Sequence, residues 1–203
     1  MPTPVGLIPT SFHPRTIAVD LDDTLNNFGE TLRTGEFPHD PMYALPKETY
    51  EQYLQLIREG ANDPGIFMSS GFNFCRYKIH LQCWQQSRAR PDGVAFMQWL
   101  RQNGWRIVIC TRRDMRLAYD STIAWLREND IPHDHLFMAA NKIAFCWAWG
   151  IQHLVDDEAF NIAHGYDYNI NVYYPILPQH ESLPPHRARG FHSFTEVQQW
   201  ITE

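Results

Sequence analysis

Short apolar runs that stop abruptly at polar residues alternate with stretches of helical spacing along most of the chain. The first run is Thr16-Ile17-Ala18-Val19-Asp20, β-branched and followed at once by further acids. A run of this length and composition reads as a buried strand. From Pro91 the alternation becomes regular. Pro91 suits a first helical position and Gly104 a helix end, with Val94, Met97 and Leu100 facing inward between them. Trp105 to Cys110 reads as a strand, and Asp114 can cap a helix carrying Tyr119, Ile123 and Leu126. His135 to Met138 is a short strand, and Lys142 to Trp149 a short helix closed by Gly150. His153-Leu154-Val155 is a strand running into Asp156-Asp157, and Ile170 to Tyr173 adds another. Ser193-Phe194-Thr195-Glu196 is a capping-box pattern, opening a last helix with Phe194, Val197 and Ile201 inward. Residues 175–192 hold four prolines and read as a loop, long for a compact domain.

Residues 29–90 break this alternation. Residues 29–45 are rich in Gly, Pro and polar types. Pro46 to Glu59 then spaces Tyr50, Tyr53, Leu54 and Ile57 along one helical face, and Asn62-Asp63-Pro64-Gly65 marks a turn. Phe74, Tyr77, Leu81 and Trp84 make a second helical stripe. Strands alternating with helices imply a parallel sheet covered on both faces. The expected fold is therefore α/β, a doubly wound parallel sheet built from residues 1–28 and 91–203. Residues 29–90 form a mainly helical insertion after the first strand.

Composition narrows the classes. The 203 residues fit one domain with a modest insertion. Apolar residues make up 44% and charged ones 20%, enough to build a core. The net charge of −6 argues against a general nucleic-acid binder but leaves room for a small phosphorylated ligand, since local cations and a metal can invert the field in one cleft. The first residues lack a signal-peptide pattern, no apolar run approaches a membrane span, and the four cysteines form no CxxC pair. A cytoplasmic protein is expected, with a homodimer left open.

The chemistry concentrates where strands end. In open α/β sheets the site lies outside the carboxyl ends of the strands. One strand ends in Asp20-Leu21-Asp22-Asp23-Thr24, a second in Thr111-Arg112-Arg113 and a third in Asp156-Asp157, while Lys142 opens a helix between the last two. Phosphoryl transfer needs a nucleophile, charge neutralisation and an acid for the leaving group. A carboxylate nucleophile approaches an anionic phosphate only with help from cations. Mg²⁺ held by carboxylates such as Asp20 and Asp156, with Lys142 as a point charge, supplies that help. The Thr111 hydroxyl can donate to phosphoryl oxygens. Asp22 can protonate the leaving oxygen and later activate water. Arg112 and Arg113 read either as exposed charges or as a phosphate clamp, with Arg112 the candidate for the clamp.

These residues carry a resemblance. The order DxDx[TV] at Asp20 to Thr24, a strand-ending Thr111, Lys142, and the acidic pair Asp156-Asp157 resembles the haloacid dehalogenase superfamily of phosphatases, over residues 16 to about 174. The resemblance implies a Rossmann-like core and an aspartyl-phosphate on Asp20, with Asp22 as acid and base and its main-chain carbonyl as a metal ligand. Thr111 and Lys142 would hold the phosphoryl oxygens. Asp156 would bind Mg²⁺, and Asp157 would bind it or support a ligand. Residues 29–90 correspond to the cap that many members carry, which covers the cleft and selects the substrate. The cap size and the Asp156-Asp157 ending look like 5′(3′)-deoxyribonucleotidases, although those usually carry Gly where this chain has Asp23. The expected activity is hydrolysis of a nucleoside monophosphate or similar small ester. The alternatives are a polynucleotide 3′-phosphatase and a non-catalytic phosphate-binding or regulatory protein.

Other residues read more plainly. Asp23 reads as a brace for its loop. Cys75, His80 and Cys83 share a predicted helix without zinc spacing and read as packing residues. Phe37, Tyr43, Phe67, Phe72 and Phe74 could stack on a flat ring, but read first as the core of the insertion.

Overall fold

The computed structural model describes residues 15–40, 45–60, 69–138, 140–183 and 185–203. Among these, six strands form one sheet: β1 (Thr16–Val19), β2 (Arg106–Thr111), β3 (His135–Met138), β4 (His153–Val155), β5 (Asn171–Pro175) and β6 (Arg189–Phe191). Every pairing is parallel and the order is β3-β2-β1-β4-β5-β6. The described α-helices are α1 (Phe28–Thr34), α2 (Lys47–Arg58), α3 (Ser70–Gln86), α4 (Pro91–Gln102), α5 (Met115–Glu128), α6 (Lys142–Trp149), α7 (Ala159–His164) and α8 (Phe194–Trp200).

The sheet is buried on both faces, which is why its central strands are apolar throughout. Ile17 and Val19 of β1 join Ile107 and Ile109 of β2 on one face, packed by Phe96, Met97 and Leu100 of α4, Trp125 and Leu126 of α5, and Phe194 and Val197 of α8. Ala18, Val108, Cys110 and Leu154 point the other way, against Ile143 and Cys146 of α6 and Ile162 of α7. Each fully buried large side chain contributes about 1.5–3 kcal/mol. The doubly wound sheet is thus the α/β architecture that the pattern implied.

Helix ends follow the local chemistry. Pro91 opens α4, and Gly104 lies beyond its end at φ 74°. Asp114 caps α5 by accepting from the Arg116 amide, and Asn141 caps α6 by accepting from that of Ala144. Gly150 ends α6 in the left-handed conformation, and Ser193 with Glu196 forms the capping box of α8.

Four expectations change. The 175–192 stretch is not all loop, since it contains a 3-10 turn at Pro178–His180 and the edge strand β6. β6 is only Arg-Gly-Phe, too short to show an apolar period. Helices α1 and α7 lie where no helix was expected. On α3 the buried face is Phe72, Cys75, Ile79 and Cys83, joined by Trp84, while Phe74 is exposed. α5 turns Ala118, Thr122, Trp125 and Leu126 inward and leaves Tyr119 exposed.

Helices α1 to α3 share a core of Phe37, Tyr50, Ile57, Phe72, Cys75, Ile79 and Cys83. Phe37 and Phe72 are therefore packing residues; Tyr43, Phe67 and the turn at residues 62–65 lie outside the described residues. The chain enters and leaves this unit side by side. Asn26 and Ala89 form an antiparallel bridge, flanked by hydrogen bonds from the Asn27 amide to the Arg88 carbonyl and from the Arg90 amide to the Leu25 carbonyl. Among the described residues no helix is long and apolar enough to cross a membrane.

Candidate active site

The strand order reverses direction of travel between β1 and β4, and a crevice opens there at their carboxyl ends. The ladder continues one residue past each strand. The Asp20 amide donates to the Val155 carbonyl at 2.9 Å, and the Asp156 amide to the Tyr173 carbonyl at 3.0 Å. Both carboxylates are thereby fixed at the sheet edge, and both are buried. Lys142, at the first turn of α6, is 2% exposed and sits between them. Its Nζ lies 2.9 Å from Asp20 Oδ1 and 2.7 Å from Asp156 Oδ2. The other Asp156 oxygen accepts from the Glu158 amide at 2.8 Å.

A cleft of about 220 Å³ lies over these groups, lined by Asp20, Asp22, Asp23, Thr111, Arg112, Lys142, Asp157 and Glu158. Asp20, Asp156 and Asp157 each offer one carboxylate oxygen, all within 4.8 Å of one another. Asp20 Oδ1 is buried, and its close contact among the described residues is the Lys142 ammonium at 2.9 Å. Burial, with the charges of Asp156 and Asp22, pushes the Asp20 carboxyl up to about 7 against the pull of Lys142. Burial and the charges of Asp20 and Asp156 likewise raise that of Asp157. Burial opposes the Lys142 charge, but Asp20 and Asp156 outweigh it and hold the ammonium protonated. Three crowded carboxylates served by one ammonium fit a small divalent cation with oxygen ligands.

Asp22 faces a different partner. Arg113 Nε donates to its Oδ2 at 3.0 Å and Nη2 to its Oδ1 at 2.5 Å. Asn26 adds a bond to Oδ1 at 3.0 Å. Burial disfavours the Asp22 charge, yet Arg113 and Asn26 together hold its carboxyl below the usual range. Arg113 is neither an exposed charge nor a phosphate clamp. It is buried, bonds Thr122 Oγ1 through Nη1, and lies over the Trp84 ring. Arg112 does reach the cleft, paired with Glu158 and largely exposed. The Asp22 carboxylate stands apart from the three-carboxylate cluster, as suits a residue expected to offer a metal only its main-chain oxygen.

The loop after β1 is tightly tied. The Leu21 carbonyl accepts from the Thr24, Leu25 and Asn26 amides. Asp23 adopts φ 59°, and its Oδ1 accepts from the Gly29 amide at 2.7 Å. Asn26 Oδ1 accepts from the Asp23 and Phe28 amides. Thr24 Oγ1 reaches Asp157 at 3.4 Å, and His180 Nε2 meets the Asp157 carbonyl at 2.7 Å. Asn26 and His180 were not singled out from the sequence, and Arg113 was read there only as an exposed charge or a phosphate clamp, not as the partner of Asp22. The available signal for Arg113 was an arginine two places past a strand-ending threonine, beside an acidic strand end. On α3, His80 packs against the Phe28 and Trp84 rings, and Cys83 Sγ contacts the Phe28 carbonyl and Ser87.

Solved structures share this arrangement of elements. A haloacid dehalogenase-like hydrolase from Streptococcus pneumoniae superposes with a TM-score of 0.59, at 14% identity, over 92% of this chain and 98% of its own. The chain has the haloacid dehalogenase fold. Other proteins with this fold include the hydrolase YfnB of Bacillus subtilis, solved with magnesium (TM-score 0.57, 13% identity, 93% of this chain and 99% of that one). A family hydrolase from Deinococcus radiodurans, solved with phosphate and sodium, gives 0.55 at 12% identity, over 93% and 95% of the two chains. No family model matches the sequence. A 73-residue stretch is 32% identical to the homeobox transcription factor phx1 of Schizosaccharomyces pombe. That stretch is 36% of this chain and 7% of the transcription factor, so the likeness spans a small part of that relative.

Proposed function

We propose that the protein is a magnesium-dependent phosphomonoester hydrolase working through an aspartyl-phosphate on Asp20. A nucleoside monophosphate or similarly small ester is the proposed substrate, and residues 29–90 act as the cap over the cleft. The observation that carries this reading is the packing of Asp20, Asp156 and Asp157 around Lys142 at the reversal of strand order. Magnesium bound by these carboxylates and the Asp22 carbonyl would neutralise charge and polarise the phosphoryl oxygens. That proteins of this fold have been solved with magnesium, and with phosphate, supports the assignment.

Asp20 attacks phosphorus, and the bond to the leaving oxygen breaks. Lys142 and the Thr111 hydroxyl draw on the transferring oxygens. The incoming anionic ester raises the proton affinity of Asp22, which takes up a proton and gives it to the leaving oxygen. Asp22, ionised again, accepts a proton from water as that water attacks the aspartyl-phosphate. Inorganic phosphate departs and Asp20 is restored. Arg113 and Asn26 hold Asp22 in place for both transfers. Arg112, on the rim, neutralises the outer charge of the ester.

The test is phosphate release from a generic aryl phosphate and from a panel of nucleoside monophosphates and sugar phosphates, with magnesium. Asp20→Asn and EDTA should each abolish it. Near-normal turnover by Asp20→Asn would sink the nucleophile assignment.

A further inference from the structure

At the opposite end of the sheet from Asp20, the amino ends of β4, β5 and β6 frame a second cavity of about 120 Å³. His153, Asn171 and Arg189, the first residues of these strands, line it. Asp156 lies three residues beyond His153, so about 10 Å of extended chain separates the cavity from the cleft.

Arg187 and Arg189 both line this cavity. Arg187 lies over the Tyr166 ring, 4.0 Å from its centroid, and among the described residues no carboxylate pairs with it. Stacking occupies the face of a guanidinium and leaves its edge donors available for a bidentate acceptor. Arg189 lies 5.5 Å over the Trp200 ring and meets Glu203 at 3.5 Å, an exposed pair of little energetic weight. Among the described lining residues no other charged side chain offsets them. Burial keeps His153 neutral, and it pushes the Tyr173 hydroxyl, 3.0 Å from His153 Nδ1, up to about 12. Two cationic residues thus line one hollow, in a chain whose net charge is −6. An anion held by both would gain charge-assisted hydrogen bonds. The cavity has room for an oxyanion headgroup.

We propose that this cavity binds a small oxyanion, phosphate or carboxylate, between the edges of Arg187 and Arg189, at a site separate from the Asp20 cleft. The test is equilibrium dialysis of the whole protein against radiolabelled inorganic phosphate and, separately, succinate. EDTA is present throughout to strip metal from the Asp20 cleft. Wild type and Asp20→Asn should bind one equivalent of at least one anion with equal affinity, and the anion preferred names the source. Arg187→Gln combined with Arg189→Gln should weaken binding by about a hundredfold, and Arg187→Lys, which keeps charge but loses the planar fork, by about tenfold. Both arginines are exposed, and circular dichroism checks that the variants fold. Absence of saturable binding by either anion would overturn the proposal. So would wild-type affinity in the double variant, or loss of binding in Asp20→Asn alone.

Discussion

Arg113 grips both carboxylate oxygens of Asp22, with Nε 3.0 Å from one and Nη2 2.5 Å from the other. The grip decides the sign of the Asp22 titration. Its carboxyl is lowered in the folded protein, although burial alone would raise it. A lowered carboxyl contributes stability that is complete above its unfolded value, about 3.9, and is lost as pH falls through the folded value. Urea midpoints of the wild type should therefore drop below about pH 4, and those of Arg113→Met should drop less. In that variant the limb of the pH–rate profile set by Asp22 should move to higher pH. An unmoved limb would remove Asp22 from the rate-limiting proton transfer.

Asp20 behaves in the opposite sense. Its carboxyl is raised to about 7, so on raising pH the unfolded chain ionises first. Stability then declines from about pH 4 up to the folded value. Asp20→Asn escapes that decline and should melt higher than the wild type at pH 8 in EDTA. Magnesium at a hundredfold its dissociation constant should stabilise the wild type by about 2.7 kcal/mol, and Asp156→Asn far less. Calorimetry reads both effects. A wild-type melting curve indifferent to magnesium would argue against a metal at the three carboxylates.

Lys142 is the cation between Asp20 and Asp156, and the two acids keep it protonated well past the neutral range. Lys142→Met leaves them facing each other in a buried site. A cost of about 3–5 kcal/mol is expected in urea unfolding at pH 7, together with loss of turnover. Lys142→Arg should not restore activity, because a planar fork cannot replace a compact ammonium in so small a space.

How much of this was legible in the chain depended on whether a residue acts from a strand end or across elements. Asp20, Thr111, Asp156 and Asp157 stand where apolar runs stop, since a buried parallel strand must be apolar until it reaches the cleft, and Lys142 opens the helix that follows one such strand. Their convergence follows from topology alone. Asn26, Arg113 and His180 act through contacts with residues 4, 91 and 23 positions away, and no local period marks them. The face of α3 was misread because aromatic residues stand on both of its sides. Phe72, Cys75 and Ile79 fill the interior while Phe74 reaches solvent. The strand β6 escaped notice because it gains its place by pairing at an edge, from Tyr173 with Arg189 to Pro175 with Phe191.

Gly29 tests the loop that presents Asp22. A Cβ on it would lie 2.7 Å from Asp23 Oδ2, while its own amide holds Asp23 Oδ1 at 2.7 Å. The carboxylate cannot retreat without giving up that bond. Gly29→Ala should cost about 1–3 kcal/mol in thermal or urea unfolding. It should lower kcat more than it raises KM, because the displaced loop carries Asp20 and Asp22. Unchanged stability would mean that Asp23 is held from elsewhere.

Asn26 belongs to two mechanisms at once. Its main chain forms the bridge with Ala89 that joins the helical unit to the sheet, and its side chain holds Asp22. One residue therefore links the base of the helical unit to Asp22, the proposed proton donor. If helices α1 to α3 act as the proposed cap, a swing about that bridge would work like a crank, turning the Asn26 side chain and with it one of the three hydrogen bonds on Asp22. Under the proposed function, the motion that admits a substrate and the readiness of Asp22 to move a proton would be one mechanical coordinate.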